Sequence, residues 1–306
     1  MTAGKDEKAY GIEAVSAGNG NLFGFLNIYK PKGMTSHDVV AVLRRLTKIK
    51  QIGHTGTLDP FAQGVLPVCI GKATRLIEYL EDDKAYIATI QFGSNTATYD
   101  IEGDVTEIFD KKITEEEVLA ELKNFCGEIS QFPPIYSAIK VNGKKLYEYA
   151  RKGEEVEIKP RKVIIYNIEL KNFDEKTQTA EIFIKCSKGT YIRSIAYDLG
   201  KTLGCGGHLI KLVRCQAGGF EINDSTDLVC LKEHPEKVRE LLINPVDVLT
   251  LPKIELNEIE HEKVLHGMAI QNNSDCAGFV ILIYNKSVSA VGLIDNKKIL
   301  IKKVFE

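Results

Sequence analysis

The apolar positions of this chain fall into blocks whose period changes along it. Phe23 to Tyr29 (F-G-F-L-N-I-Y) is a short apolar run ended by Lys30-Pro31-Lys32-Gly33, which predicts a strand closed by a turn. Ser36 then stands as an N-cap before H-D-V-V-A-V-L-R-R-L, where apolar residues recur at helical spacing. Gly64 to Gly71 is apolar almost throughout and reads as a buried strand. A short helix over L-I-E-Y-L follows, then a strand rich in β-formers from Lys84 to Gly93. Thr114 caps a helix, E-E-E-V-L-A-E-L-K-N-F, with acids at its positive end. Gln131 to Gly143 carries Pro133 and Pro134 and reads as stiff and extended, and L-Y-E-Y-A-R-K-G as a short helix ended by Gly153. The strands V-I-I-Y-N-I-E-L and A-E-I-F-I-K-C-S flank a turn at D-E-K-T-Q, and Gly200 to Leu209 reads as flexible. After Pro245 come a linker with a strand, a short helix (E-I-E-H-E-K-V-L-H-G) and three runs, G-F-V-I-L-I-Y-N, S-V-S-A-V-G-L-I-D and K-K-I-L-I-K-K-V-F. Strands this short and evenly spaced predict a small β-barrel or sheet.

One stretch does not fit a purely structural reading. Gln51 to Val68 (Q-I-G-H-T-G-T-L-D-P-F-A-Q-G-V-L-P-V) holds one carboxylate, Asp59, and one imidazole, His54, among glycines, threonines and apolar residues. Pro60 pushes Asp59 out of the helical region, so the carboxylate sits on a stiff loop. An isolated acid beside a core strand is costly unless something pairs with it. A lone D-P is usually a turn or cap. Here the surrounding spacing favours chemistry.

Composition bounds the possibilities. At 306 residues, 44% hydrophobic and 27% charged, the chain can hold one large domain and a small one. No run is long and apolar enough to span a bilayer. The first twenty residues lack the apolar core of a signal peptide and read as a flexible extension, taken as residues 1–22. Seven cysteines without C-x-x-C pairs predict free thiols in a reducing cytoplasm and no zinc site. Two ligand types at Cys205 and His208 lack a partner pair, so no metal is expected. The net charge of −2 hides a segregation. Between Leu26 and Leu76 eight basic residues (Lys30, Lys32, Arg44, Arg45, Lys48, Lys50, Lys72, Arg75) stand against two acids, Asp38 and Asp59. A second basic cluster, Lys140 to Lys152, is diluted by glutamates. Such patches attract phosphates whatever the total charge.

G-H-T-G-T-L-D-P-x-A-x-G-V-L-P-V closely resembles the central motif of the bacterial tRNA pseudouridine-55 synthases, the TruB family. The resemblance runs from about Gly24 onward. It includes K-P-x-G-M-T-S near Lys30, K-x-Y at Lys84 to Tyr86, P-P-x-Y-S-A-x-K-x-x-G from Pro133, and the block Lys188 to Ala196. It implies an α+β fold: a large mixed, mainly antiparallel catalytic sheet over residues 23–247, and a small β-rich PUA-like RNA-binding domain over 248–306. It implies an RNA-gripping insertion at about 135–160. The implied activity is isomerisation of a uridine in the T arm of tRNA, at position 55, by base flipping, with binding that also assists tRNA folding. No cofactor, protein partner or membrane is implied; a cytoplasmic monomer is expected.

By match to the family pattern, Asp59 is the catalytic nucleophile and Arg193 the arginine that pairs with it. Tyr86 stacks on the target base and helps proton transfer at C5. Tyr191 and Leu212 line the uridine pocket, and His54 contacts the RNA near the extruded base. Lys30, Lys32, Lys72 and Lys140 are candidates for the RNA backbone. Each has an ordinary alternative: a strand tyrosine is most often packing, and an arginine after a strand is usually on the surface. The pattern departs at Ala97, where family members often carry a second aspartate, leaving Asp100 to order that loop. Two other classes remain. A non-catalytic RNA binder is disfavoured because the acid, the arginine and both tyrosines are present. A glycosidase would want a second carboxylate near the first. The guide-RNA-dependent pseudouridine synthases share the core but need partner subunits.

Overall fold

The computed structural model describes residues 22–305, so the expected N-terminal extension lies, but for Leu22, outside the described residues. Strand β1 (Gly24–Lys30) leads into helix α1 (Ser36–Thr47), a short β2 (Ile52–His54) and the buried β3 (Gln63–Ile70). Next come β4 (Lys84–Phe92), a hairpin of β5 (Ser94–Thr96) and β6 (Val105–Ile108), helix α2 (Glu115–Leu122) and β7 (Gly127–Gln131). A small hairpin, β8 (Lys140–Val141) and β9 (Lys144–Lys145), precedes helix α3 (Leu146–Lys152). The long hairpin of β10 (Arg161–Asp174) and β11 (Thr179–Cys186) is followed by helix α4 (Ile192–Thr202) and β12 (Gly207–Ala217). Two short strands, β13 (Phe220–Glu221) and β14 (Thr226–Asp227), complete the first sheet.

That sheet runs β14-β1-β3-β12-β4-β11-β10-β7, with β2 on β3 and β13 on β12. It is mixed: β1 with β14 and β3 with β12 are parallel, the rest antiparallel. Its centre, where β3, β12 and β4 meet, is the part that positions the site. Strand β3 is apolar and buried from Gly64 onward because the sheet is covered on both faces. Leu66, Val68 and Ile70 join one core with α1, while Val65 and Cys69 join another.

That second core explains the C-terminal sheet. Its strands, β15 (Lys253–Glu255), β16 (Ile270–Gln271), β17 (Phe279–Tyr284), β18 (Ser287–Asp295) and β19 (Lys298–Val304), run in the order β15-β17-β18-β19-β16. In β17, Ile281 and Ile283 pack with Phe25, Val65 and Cys69 of the large sheet, and Val280 and Leu282 face the small sheet's own core.

Two local expectations need correction. Helix α1 is capped by Thr35, whose side chain accepts from the Asp38 amide in a capping box; Ser36 points inward instead. The Ser36 hydroxyl accepts from Leu58 N at 2.9 Å and donates to Leu58 O at 3.3 Å, tethering the loop that carries Asp59. The glycine-rich stretch after residue 200 is not a free linker. A Cβ on Gly200 would collide with the backbone of Gly206 and Gly207, so the glycine lets α4 pack against the start of β12.

Gly64 is the sharpest test of this arrangement. It has φ +109°, and a Cβ there would strike the backbone of Arg214 on β12. Gly64→Ala is expected to cost about 3 kcal/mol from strain and overpacking together, read as a lowered thermal unfolding midpoint. An alanine variant that melts with the wild type would contradict the close β3–β12 approach.

Candidate active site

The Asp59 loop runs between β2 and β3 and is fixed from several sides. Ala62 N donates to Asp59 O at 3.1 Å, and Gly33 N donates to Pro60 O at 2.8 Å. Lys30, expected at the RNA backbone, is instead fully buried. Its ammonium donates to Pro31 O at 3.0 Å, Met34 O at 2.6 Å and Pro60 O at 3.4 Å, so it ties the turn after β1 to the Asp59 loop and cannot reach a phosphate. Burial lowers its pKa to about 8. Lys32 and Lys140 are exposed and Lys72 half-exposed, as a backbone contact requires.

Asp59 faces a pocket of about 490 Å³, with Leu58, Tyr86, Tyr136, Tyr191, Arg193 and Leu212 among its walls. Its partner is Arg193, which stands on the first turn of α4 rather than beyond a strand end. Arg193 Nη2 donates to Asp59 Oδ1 at 3.1 Å, and Nε lies 3.0 Å from Oδ2 in a charge contact without hydrogen-bond alignment. The same guanidinium reaches a second carboxylate: Nη1 lies 3.3 Å from Asp100 Oδ2. Arg193 further donates to Thr98 O and Tyr136 O, each at 3.0 Å. One buried arginine therefore joins the Asp59 loop, the loop after β5 and the start of the insertion.

Asp100 was expected only to order its loop. It does so, accepting from Thr98 Oγ1 at 2.5 Å and from Glu102 N at 3.0 Å, and it also shares the arginine. The Asp59 side chain is 34% exposed, whereas those of Asp100 and Arg193 are 4% and 6% exposed. Asp59 alone of the three opens to a ligand. Burial pushes its carboxyl above the usual range and Asp100 pushes the same way, while Arg193 pulls it down. The arginine is thus what favours the ionised form.

Tyr86 on β4 is 7% exposed, and burial raises its phenol to about 12, so it is neutral at pH 7. Tyr191 sits at the N-cap of α4. Its backbone is clamped by Gln131, which accepts from Tyr191 N at 2.8 Å and donates to Tyr191 O at 2.9 Å. Leu212 on β12 is 5% exposed and closes an apolar wall. The insertion contributes Tyr136, Ser137 and Ala138 to the pocket, and its helix α3 contributes Tyr147. His54 is half-buried on β2, beside the pocket walls Thr55 and Gly56, and its ring meets His37 edge-on at 5.5 Å. Burial, His37 and Arg214 lower its pKa to about 4, so it is an uncharged ring at neutral pH. The pocket thus gathers Asp59, Arg193, Tyr86, Tyr191 and Leu212, sets His54 beside them, and excludes Lys30. It also contains Arg214, on the same strand as Leu212. Its signal was its place two residues after Leu212 on one strand, hence on the same face.

Residues 44–192 match the family model described as TruB family pseudouridylate synthase (N terminal domain). Residues 193–250 match the tRNA pseudouridylate synthase B C-terminal domain. The fold and the matched domains are those of a pseudouridylate synthase. Curated relatives agree. The chain is 45% identical over 287 residues to tRNA pseudouridine synthase B of Caldanaerobacter subterraneus subsp. tengcongensis, covering 92% of this chain and 99% of the relative. It is 41% identical over 293 residues to that of Francisella philomiragia, covering 94% and 96%. The chain belongs to the TruB family of pseudouridylate synthases. Among solved structures, a Cbf5-Nop10-Gar1 complex gives a TM-score of 0.70 at 27% identity, covering 93% of this chain and 84% of that one. An H/ACA RNP bound to a substrate RNA containing 2'-deoxyuridine gives 0.69 at 25%, covering 93% and 86%.

Proposed function

We propose that this enzyme converts uridine to pseudouridine at position 55 in the T loop of tRNA, acting as a single chain in the cytoplasm. The observation that carries this reading is Asp59, the one site carboxylate open to the pocket, held by Arg193 beside the Tyr86 wall. Relatives named tRNA pseudouridine synthase B supply the substrate class.

The isomerisation breaks the N1–C1′ bond and forms C5–C1′, so the base must detach, turn and rejoin without escaping. A pocket this recessed admits a base only after it leaves its stack. Tyr86 and Tyr191 restore aromatic contact to the extruded base, and Leu212 keeps water away. Asp59 acts beside the ribose and the base edge, with Arg193 holding it ionised. His54, uncharged, offers a flat ring to the loop the base has left. A folded T loop with splayed bases provides shape rather than a duplex groove to read. Gripping that loop through the insertion around residues 135–160 would also assist tRNA folding, and the C-terminal sheet would bind further along the backbone as a PUA-like domain.

Backbone contact has a quantitative signature. Each of Lys32→Ala, Lys72→Ala and Lys140→Ala is expected to weaken tRNA binding and to reduce the slope of log affinity against log salt by about 1. An unchanged slope would remove that lysine from the interface.

The test of substrate and position is reaction of the purified chain with an unmodified tRNA transcript, followed by chemical mapping of pseudouridine. Modification at U55 without added protein or guide RNA supports the proposal. A requirement for either would favour the guide-dependent alternative.

A further inference from the structure

Arg214 is the largest fully buried side chain among the described residues, and it lines the Asp59 pocket. Its guanidinium is only partly satisfied. Nε donates to Val65 O at 2.7 Å and Nη2 to Gly56 O at 3.0 Å, while Nη1 has no carbonyl or carboxylate acceptor and the Tyr86 hydroxyl is the other polar group on the guanidinium. No described carboxylate pairs with it; the charged neighbours it influences are Lys30 and Lys84, with His54 beside them. A buried arginine without a counter-ion is expensive and persists when its charge has a use. Its placement is enforced: β12 sets Arg214 opposite Tyr86 on β4 and Gly64 on β3, and Gly64 has no side chain to hold the strands apart. Gly56 permits a close approach here, because a Cβ there would lie 3.7 Å from Nη1 and 3.2 Å from Lys84 Cε. Arg193, by contrast, is already shared between two carboxylates.

We infer that Arg214 is a further catalytic residue: its guanidinium meets uracil and stabilises the negative charge the ring takes up when the N1–C1′ bond breaks. In that step the electron pair of the N1–C1′ bond leaves with the base, and the ring becomes an anion spread over N1, O2 and O4. C5 then supplies the pair that forms C5–C1′, the C5 proton departs and N1 gains a proton, so the isomerisation is redox-neutral. A fixed cation at the developing charge costs no reorganisation in a water-poor pocket. Arg214 also favours ionisation of the adjacent Tyr86 phenol, against the burial that opposes it.

The inference rests on the pseudouridylation reading, and the experiment separates the two. Wild type, Arg214→Gln and Arg214→Lys are compared in single turnovers on tRNA carrying either uridine or 5-fluorouridine at position 55. The readout is loss of the intact nucleotide after digestion, with tRNA affinity measured alongside. Fluorine withdraws electrons and lets the ring carry the charge itself. Arg214→Gln is expected to lose about 10²–10³-fold in rate on uridine, at near-normal affinity, with partial recovery in Arg214→Lys. On 5-fluorouridine the loss shrinks at least about tenfold, as an eased charge demand requires. An equal loss on both substrates would overturn the inference and leave Arg214 a strand support. A loss of affinity alone would overturn it in favour of a phosphate contact. If Arg214→Gln fails to fold, Arg214→Lys carries the same comparison. An inert wild type would overturn both readings.

Discussion

Replacing Asp59 with asparagine is expected to lower isomerisation by about 10⁴-fold or more while folding and tRNA binding persist. The asparagine keeps the shape of the side chain and an oxygen for Arg193 Nη2, now 3.1 Å from Asp59 Oδ1. Arg193 is not stranded, because Asp100, Thr98 O and Tyr136 O still hold it. Nor does the fold depend on the charge: burial works against ionising Asp59, so removing that charge relieves a cost. What disappears is the only described site carboxylate open to the pocket. Stopped-time assays of the variant beside equilibrium tRNA binding check this. A variant retaining even a tenth of the wild-type rate would exclude Asp59 as the nucleophile.

Arg193→Met should have the second-largest effect, and a different one. It removes the cation between two acids, leaving Asp59 and Asp100 to repel in a poorly solvated site. Breaking a buried pair from one side costs about 3–5 kcal/mol, so thermal stability should fall clearly. Activity at pH 7 should fall by about 10²-fold or more through loss of the ionised form and its positioning. The pH dependence gives the sign. Asp59 must be ionised, Arg193 lowers its pKa and Asp100 raises it. Without the arginine the acid limb of the rate profile moves to higher pH, so raising the pH partly restores the variant. Adding Asp100→Asn should move the limb back down. A limb that stays in place would show that Arg193 positions Asp59 without tuning it.

Much of the site was legible because its residues lie in short, rigid motifs. Asp59 and Pro60 announce a stiff loop, and the strand carrying Tyr86 reads clearly from its β-formers. The C-terminal strands follow from their alternation and spacing, whereas the large mixed sheet was implied by the family resemblance. What sequence reasoning missed depends on contacts far apart in the chain. Lys30 looks like a phosphate ligand until three carbonyls surround it. Arg193 reads as following a strand, whereas helix α4 begins at Ile192, and only folding brings Asp100 to it. Thr35 and Ser36 are both good caps, and packing against Leu58 decides between them. The core shared by Phe25, Val65 and Ile281 could not be read locally, since each strand alone looks like part of its own sheet.

The most direct measurement is tritium release from C5 of labelled uridine in an unmodified tRNA transcript, using wild type, Asp59→Asn and a transcript with cytidine at position 55. The predicted result is release approaching one equivalent per tRNA by the wild type alone, none from Asp59→Asn, and none when position 55 is cytidine. Tight binding without release by the wild type, or release undiminished by either change, would contradict it.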